Sequence, residues 1–267
     1  MIDKGKKNVI GVLVDAVDYE AAVDKIIQAA HKGSPYGVSA LAVHGVMTGV
    51  CDGEHLYRLN NLDLVVPDGQ PVRWAINLLY KARLPDRVYG PRLMLEVCNA
   101  AAREGLPIFL YGSRQEVLDK LVVNLKNRFP KLEIAGMLPS RFRPLTVLER
   151  DAVVQSILAT GARITFVGLG CPRQEVFAYE MRGYLKMPIL AVGAAFDFHA
   201  GVLKEAPEWA QKWGLQWFHR FLQDPKRLWR RYFFLSPLFL GLLFLQWIGT
   251  WTPPLKKPVF PREIRYG

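Results

Sequence analysis

The feature that most limits what this chain can fold into is a regular exchange of two periodicities between Val9 and about Ala200. Short runs rich in β-branched residues alternate with longer segments whose apolar residues recur at helical spacing. The predicted strands are residues 9–14, 38–43, 62–66, 108–111, 132–135, 164–167 and 189–192. The clearest helices are 19–31, 91–103, 115–129 and 147–159. Strands that alternate with helices predict an α/β fold, a mostly parallel Rossmann-like sheet with helices on both faces. With 267 residues, half of them apolar, the chain can complete such a domain and carry an appendage.

The character changes after residue 202. From Leu203 onward 11 Lys+Arg face 4 Asp+Glu, so most of the net charge of +11 sits in the last quarter of the chain. Trp209, Trp213, Trp217 and Trp229 recur there among basic residues. Residues 232–254 then carry no charge at all, close to the roughly 20 apolar residues of a bilayer span. Pro237 and Gly241 interrupt the segment, and Trp247 and Trp251 stand where interfacial anchors would. The expectation is a catalytic domain over 1–202 and a basic, Trp-rich helical appendage over 203–267, touching membrane through about 232–254. A buried core helix is the competing reading of that segment. An uncharged stretch inside the basic region, with no reader motif, argues against a nucleic-acid partner. Cys51, Cys98 and Cys171 are far apart and form no C-x-x-C pair, so neither a disulfide framework nor a zinc site is predicted, and a reducing cytoplasm is expected. The N-terminus shows no secretory h-region.

In an open parallel sheet, ligands bind beyond the carboxyl ends of the strands. Four predicted strand ends carry glycines or polar groups: Pro67-Asp68-Gly69-Gln70, Gly112-Ser113-Arg114, Gly168 to Glu175, and Gly193 to Gly201. Gly112, Gly168 and Gly170 would let backbone amides approach a phosphate, or they are plain tight turns. The segment from Gly168 to Arg173 is not a dinucleotide fingerprint, and there is no Walker A sequence. Asp68 fits a general base toward an attacking hydroxyl, or a turn aspartate satisfying local amides. Asp197 fits a site residue or a helix cap. His44, His55 and His199 have no metal-ligand spacing. The D-x-D pair that holds a metal on a nucleotide diphosphate is absent, which leaves Arg87, Arg173 and the C-terminal arginines to meet diphosphate charge.

The ordered stretches Leu64 to Gly69, Asp86 to Pro91, Val167 to Glu175, Val192 to Gly201 and Ala206 to Tyr232 together resemble the WecB/TagA/CpsF glycosyltransferases, glycosyltransferase family 26. The resemblance implies an inverting hexosyltransferase that moves a sugar from a UDP-sugar to a polyprenyl-diphosphate-linked saccharide at the cytoplasmic face of the bacterial inner membrane, without a cofactor or metal. It implies Asp68 as base, and Arg87, Gln174 and Asp197 around the donor. It also implies Arg220, Arg227, Arg230 and Arg231 closing the site near membrane lipid.

Several positions depart from the family pattern. Ala40 and Ala42 replace a Thr-x-Asn pair, Pro91-Arg92 stands where an acidic residue is common, and Gln70 replaces an apolar residue. These departures suggest an exopolysaccharide branch with a donor other than N-acetylmannosamine. The alternative is a catalytically degenerate membrane scaffold. Donor, acceptor and oligomeric state stay open at this level.

Overall fold

A computed structural model describes residues 1–207, 210, 213–214, 216–253 and 259–267, apart from the side chains of Gln216, Arg220, Arg227, Arg230 and Arg231. The first apolar run is two strands rather than the single strand predicted over 9–14. β1 (Asp3–Val9) and β2 (Val12–Val17) pair as an antiparallel hairpin. Ile10 (φ 46°) and Gly11 (φ 97°) between them both adopt left-handed backbone, as a two-residue hairpin turn requires. Isoleucine is so uncommon in that turn that the run reads as continuous.

β3 (Tyr36–Leu41), β4 (Leu64–Pro67), β5 (Ile108–Gly112), β6 (Ile134–Leu138), β7 (Ile164–Gly168) and β8 (Pro188–Ala191) form one parallel sheet in the order β4-β3-β8-β7-β5-β6. Alternate residues feed opposite faces. Phe109 and Tyr111 of β5 join the core shared with α2 (Val43–Cys51), α3 (Gly53–Asn60), α4 (Gln70–Tyr80), α7 (Val147–Leu158) and α8 (Arg173–Leu185). Ile108 and Leu110 join the other core, with α1 (Tyr19–Lys32), α5 (Gly90–Glu104), α6 (Gln115–Arg128) and α9 (Ala195–His199). The predicted helices hold to within two residues because their ends carry strong local signals. Asp18 caps α1 by accepting from the Ala21 N–H, and Thr146 with Glu149 forms a capping box on α7. The hairpin docks beside β4 through buried Asp15, whose carboxylate accepts from the Val65 N–H at 2.8 Å and from Lys6 Nζ at 3.0 Å.

The C-terminal region contains α10 (Gln216–Gln223), α11 (Pro225–Arg230), a π-helical turn (Arg231–Leu235) and α12 (Ser236–Trp247). Phe239 and Leu243, four residues apart on α12, insert into the first core. Gln246 reaches the hairpin, its Oε1 accepting from the Ile10 N–H and its Nε2 donating to Asn8 O, both at 2.9 Å. Phe234, Leu240, Phe244 and Trp247 stay exposed. The described part of the uncharged segment, residues 232–253, thus contains a π-helical turn and one short helix, half-docked on the domain. No helix among the described residues is long and apolar enough to cross a membrane.

Candidate active site

Strand order decides what meets at the carboxyl edge of the sheet. β5 leads outward to β6 while β7 leads back toward β8, a reversal of strand order at which ligands of open parallel sheets bind. Asp68 lies at the same edge, directly after β4. Its own N–H donates to Leu41 O at 3.2 Å, which ties the loop to β3. Its Oδ1 accepts from the Gly90 N–H at 2.9 Å, at the start of α5. A carboxylate at a helix N-terminus is both oriented and favoured as the anion. Gly90 must lack a side chain here, because a Cβ would come within 3.0 Å of the Ala40 methyl. A Cβ on Gly69 would likewise lie 3.7 Å from Ala42. The two departures from the Thr-x-Asn pattern therefore sit on the floor beside Asp68.

The segment carrying Arg87 is stitched to the same loop. Val88 N–H donates to Pro67 O at 2.9 Å, and Asp86 Oδ1 accepts from the Arg87 N–H at 2.8 Å and from Gln70 Nε2 at 3.1 Å. Arg87 is only 8% exposed, and its guanidinium lies 4.4 Å over the Tyr89 ring. Arg92, the departure two residues into α5, stacks at 4.4 Å on Tyr19. Burial pushes the Tyr19 phenol up to about 12, so its hydroxyl stays a neutral partner that accepts from the Tyr89 N–H.

The glycine loops turn out to serve packing before ligand. A Cβ on Gly168 would fall 2.6 Å from the Phe196 ring, so this glycine admits α9 against β7. The Ser113 N–H donates to Gly168 O at 3.0 Å, and the Gly170 N–H donates to Gln174 Oε1 at 3.1 Å. Both amides are therefore committed within the protein. Gln174 is wedged between two loops: its Oε1 would be 2.8 Å from a Cβ on Gly193, and its Nε2 donates to Glu175 Oε1 at 2.9 Å. Asp197 lies inside α9, whose cap is Ala194, so the cap reading does not hold. His199 is structural, its Nε2 donating to Pro91 O at 2.8 Å. The side chains of Arg220, Arg227, Arg230 and Arg231 lie outside the described residues, so their expected place near the site is not described.

Three further groups gather near these loops. Gln70 is buried, and its Oε1 has no partner among the described residues. Trp74, one turn further along α4, is half-exposed, and the backbone of Gly214 rests against its ring, 3.1 Å from a Cβ built there. This i, i+4 pair brings the appendage to the Asp68 side of the molecule, and the spacing was the one available signal. Beneath the loops, His55, Cys171 and Glu175 converge. Burial drives the His55 imidazole down to about 4 and raises the Glu175 carboxyl.

A protein-family profile, the Glycosyl transferase WecG/TagA/CpsF family, matches residues 7–253, a stretch that takes in the sheet, the Asp68 loop and α12. With nearly the whole chain covered, the protein belongs to the WecG/TagA/CpsF family and is a glycosyltransferase.

Proposed function

We propose that this protein transfers a hexose, with inversion, from a UDP-sugar to a polyprenyl-diphosphate-linked saccharide in bacterial cell-surface or exopolysaccharide synthesis. The observation that carries the reading is Asp68: a carboxylate at the carboxyl edge of a parallel sheet, oriented through one oxygen by the first amide of α5. In the reaction, the acceptor hydroxyl oxygen forms a bond to the anomeric carbon as the bond from that carbon to the UDP oxygen breaks. The Asp68 carboxylate takes the hydroxyl proton, and UDP leaves with the electron pair. Arg87, together with the appendage arginines Arg220, Arg227, Arg230 and Arg231, balances the charge growing on the diphosphate, and no metal ion is required there. Gln174 and Asp197 shape the donor wall.

The acceptor is a lipid, and the exposed face of the C-terminal region suits a lipid surface. Trp217, Trp229, Phe234, Leu240, Phe244 and Trp247 are all exposed on that region, more apolar surface than a protein leaves in water without use. That face, with the basic residues of the C-terminal region, supports reading the enzyme as acting at a membrane surface, on the cytoplasmic side of the inner membrane.

The test is transfer by purified protein in detergent, from a panel of UDP-sugars to a polyprenyl-diphosphate-linked sugar, with and without added magnesium. The expected product carries the new linkage with inverted anomeric configuration and forms equally in both conditions. Retained configuration, or strict dependence on magnesium, contradicts the mechanism. Absence of transfer from every donor favours the degenerate-scaffold alternative and makes Ala40 and Ala42 its cause.

A further inference from the structure

The least explained chemistry in the molecule lies one layer beneath the candidate site. His55 on α3 is 2% exposed, and Glu175 on the first turn of α8 is 1% exposed. Cys171 lies between β7 and α8. One ligand atom from each lies within 4.8 Å of the other two. Neither ring nitrogen of His55 has a hydrogen-bond partner among the described residues, and neither does Glu175 Oε2. Buried polar atoms are nearly always paired, and each one left unanswered costs about 1–3 kcal/mol. The other Glu175 oxygen is engaged, accepting from Gln174 Nε2 at 2.9 Å and Ser39 Oγ at 3.4 Å. A thiol contact from Cys171 to Glu175 serves the carboxylate and does nothing for the imidazole.

We propose that His55, Cys171 and Glu175 hold a zinc ion. An imidazole, a thiol and a carboxylate are the donor types zinc takes, whereas magnesium and calcium prefer oxygen alone. Charge agrees: a dication against one thiolate and one carboxylate gives a neutral set, suited to a buried position. Binding releases the Cys171 proton, and any proton on Glu175, to solvent. Bonds of about 2.0–2.3 Å in a tetrahedral shell place ligand atoms roughly 3.4–3.8 Å apart, so the three close in by small side-chain rotations. The ion staples α3 to the loop that leads from β7 into α8. Its outer shell includes Gln174, which shares the Glu175 carboxylate. It is a structural ion supporting the wall of the site, apart from Asp68 and Arg87, so it bears on neither the base nor the diphosphate.

The test uses the full-length protein stripped by a strong chelator, then titrated with zinc against a chromogenic chelator and, separately, with cobalt(II). The expected result is one equivalent of zinc per chain, a higher melting temperature with zinc, and an intense thiolate-to-cobalt charge-transfer band. That band disappears in Cys171→Ser, weakens strongly in His55→Gln and persists in Cys51→Ser. Lack of stoichiometric zinc binding by the wild-type protein overturns the proposal, whatever the variants do. A charge-transfer band that survives Cys171→Ser, in protein shown folded by circular dichroism, overturns it as well. None of these readouts depends on sugar transfer, so the site and the proposed reaction succeed or fail separately.

Discussion

Asp68, the proposed base, is held in place by the Gly90 N–H, which donates to its Oδ1. The residues around it are held as firmly. Gln174 uses both ends of its amide to lock the loops at Gly170 and Glu175. Gly168 is small for the sake of Phe196, so Gly168→Ala should lower stability by about 1–3 kcal/mol in urea denaturation through overpacking. A phosphate-binding role alone would leave stability unchanged. His199 adds a pH dependence. Burial lowers its folded pKa below the ordinary 6.5, despite the hydrogen bond to Pro91 O. The unfolded chain therefore binds more protons just below pH 6.5, and stability falls as the solution is acidified through that window. The melting temperature of wild-type protein should drop between about pH 7 and 5, and that of His199→Gln should drop less. Parallel curves would show that His199 contributes nothing to the acid response.

At the scale of elements, four of the nine helices described around the sheet, and the sheet strands, were legible because their signals are local. Caps at Asp18 and Thr146 fix helix starts, and period-2 burial marks β5 as a strand covered on both faces. The hairpin was not legible, since Ile10 gives no hint of a left-handed turn. The segment 232–254 was legible as apolar but not as divided. Its lack of charge hides a stripe, Phe239 and Leu243, that belongs to the domain core, and other residues, Phe234, Leu240 and Phe244, that stay exposed. The two parts should separate by mutation. Phe239→Ala, at a side chain 1% exposed, should cost about 3–5 kcal/mol. Replacing Phe234, Leu240 and Phe244 together by Ser should leave the melting temperature nearly unchanged and sharply reduce sedimentation with anionic vesicles. Undiminished vesicle binding by that triple variant would remove the lipid-docking face from the account.

Across the whole molecule, topology does what no linear motif announces. Inserting β7 and β8 between β3 and β5 sets the Gln174 loop at the same edge of the sheet as the Asp68 loop, although more than a hundred residues separate them. The same insertion gathers His55, Cys171 and Glu175, whose spacing along the chain suggested no metal site. The C-terminal segment then closes the structure. Buried Arg58 pairs with Glu180 at 3.1 Å and donates to Arg262 O, and Tyr266 bridges to Pro144. What the sequence conveyed was that Asp68 stands at a strand end on the sheet's carboxyl edge. What it withheld was which amides the fold had already used, as at Ser113 and Gly170. Whether Asp68 is the base of the glycosyl transfer is tested by comparing Asp68→Asn with wild-type protein for transfer and for UDP-sugar binding. If the account holds, the substitution reduces transfer by about 10²–10⁴-fold while donor affinity stays within a few-fold. Equal loss of binding and transfer would make Asp68 a donor-binding residue, and undiminished transfer would remove it from the reaction altogether.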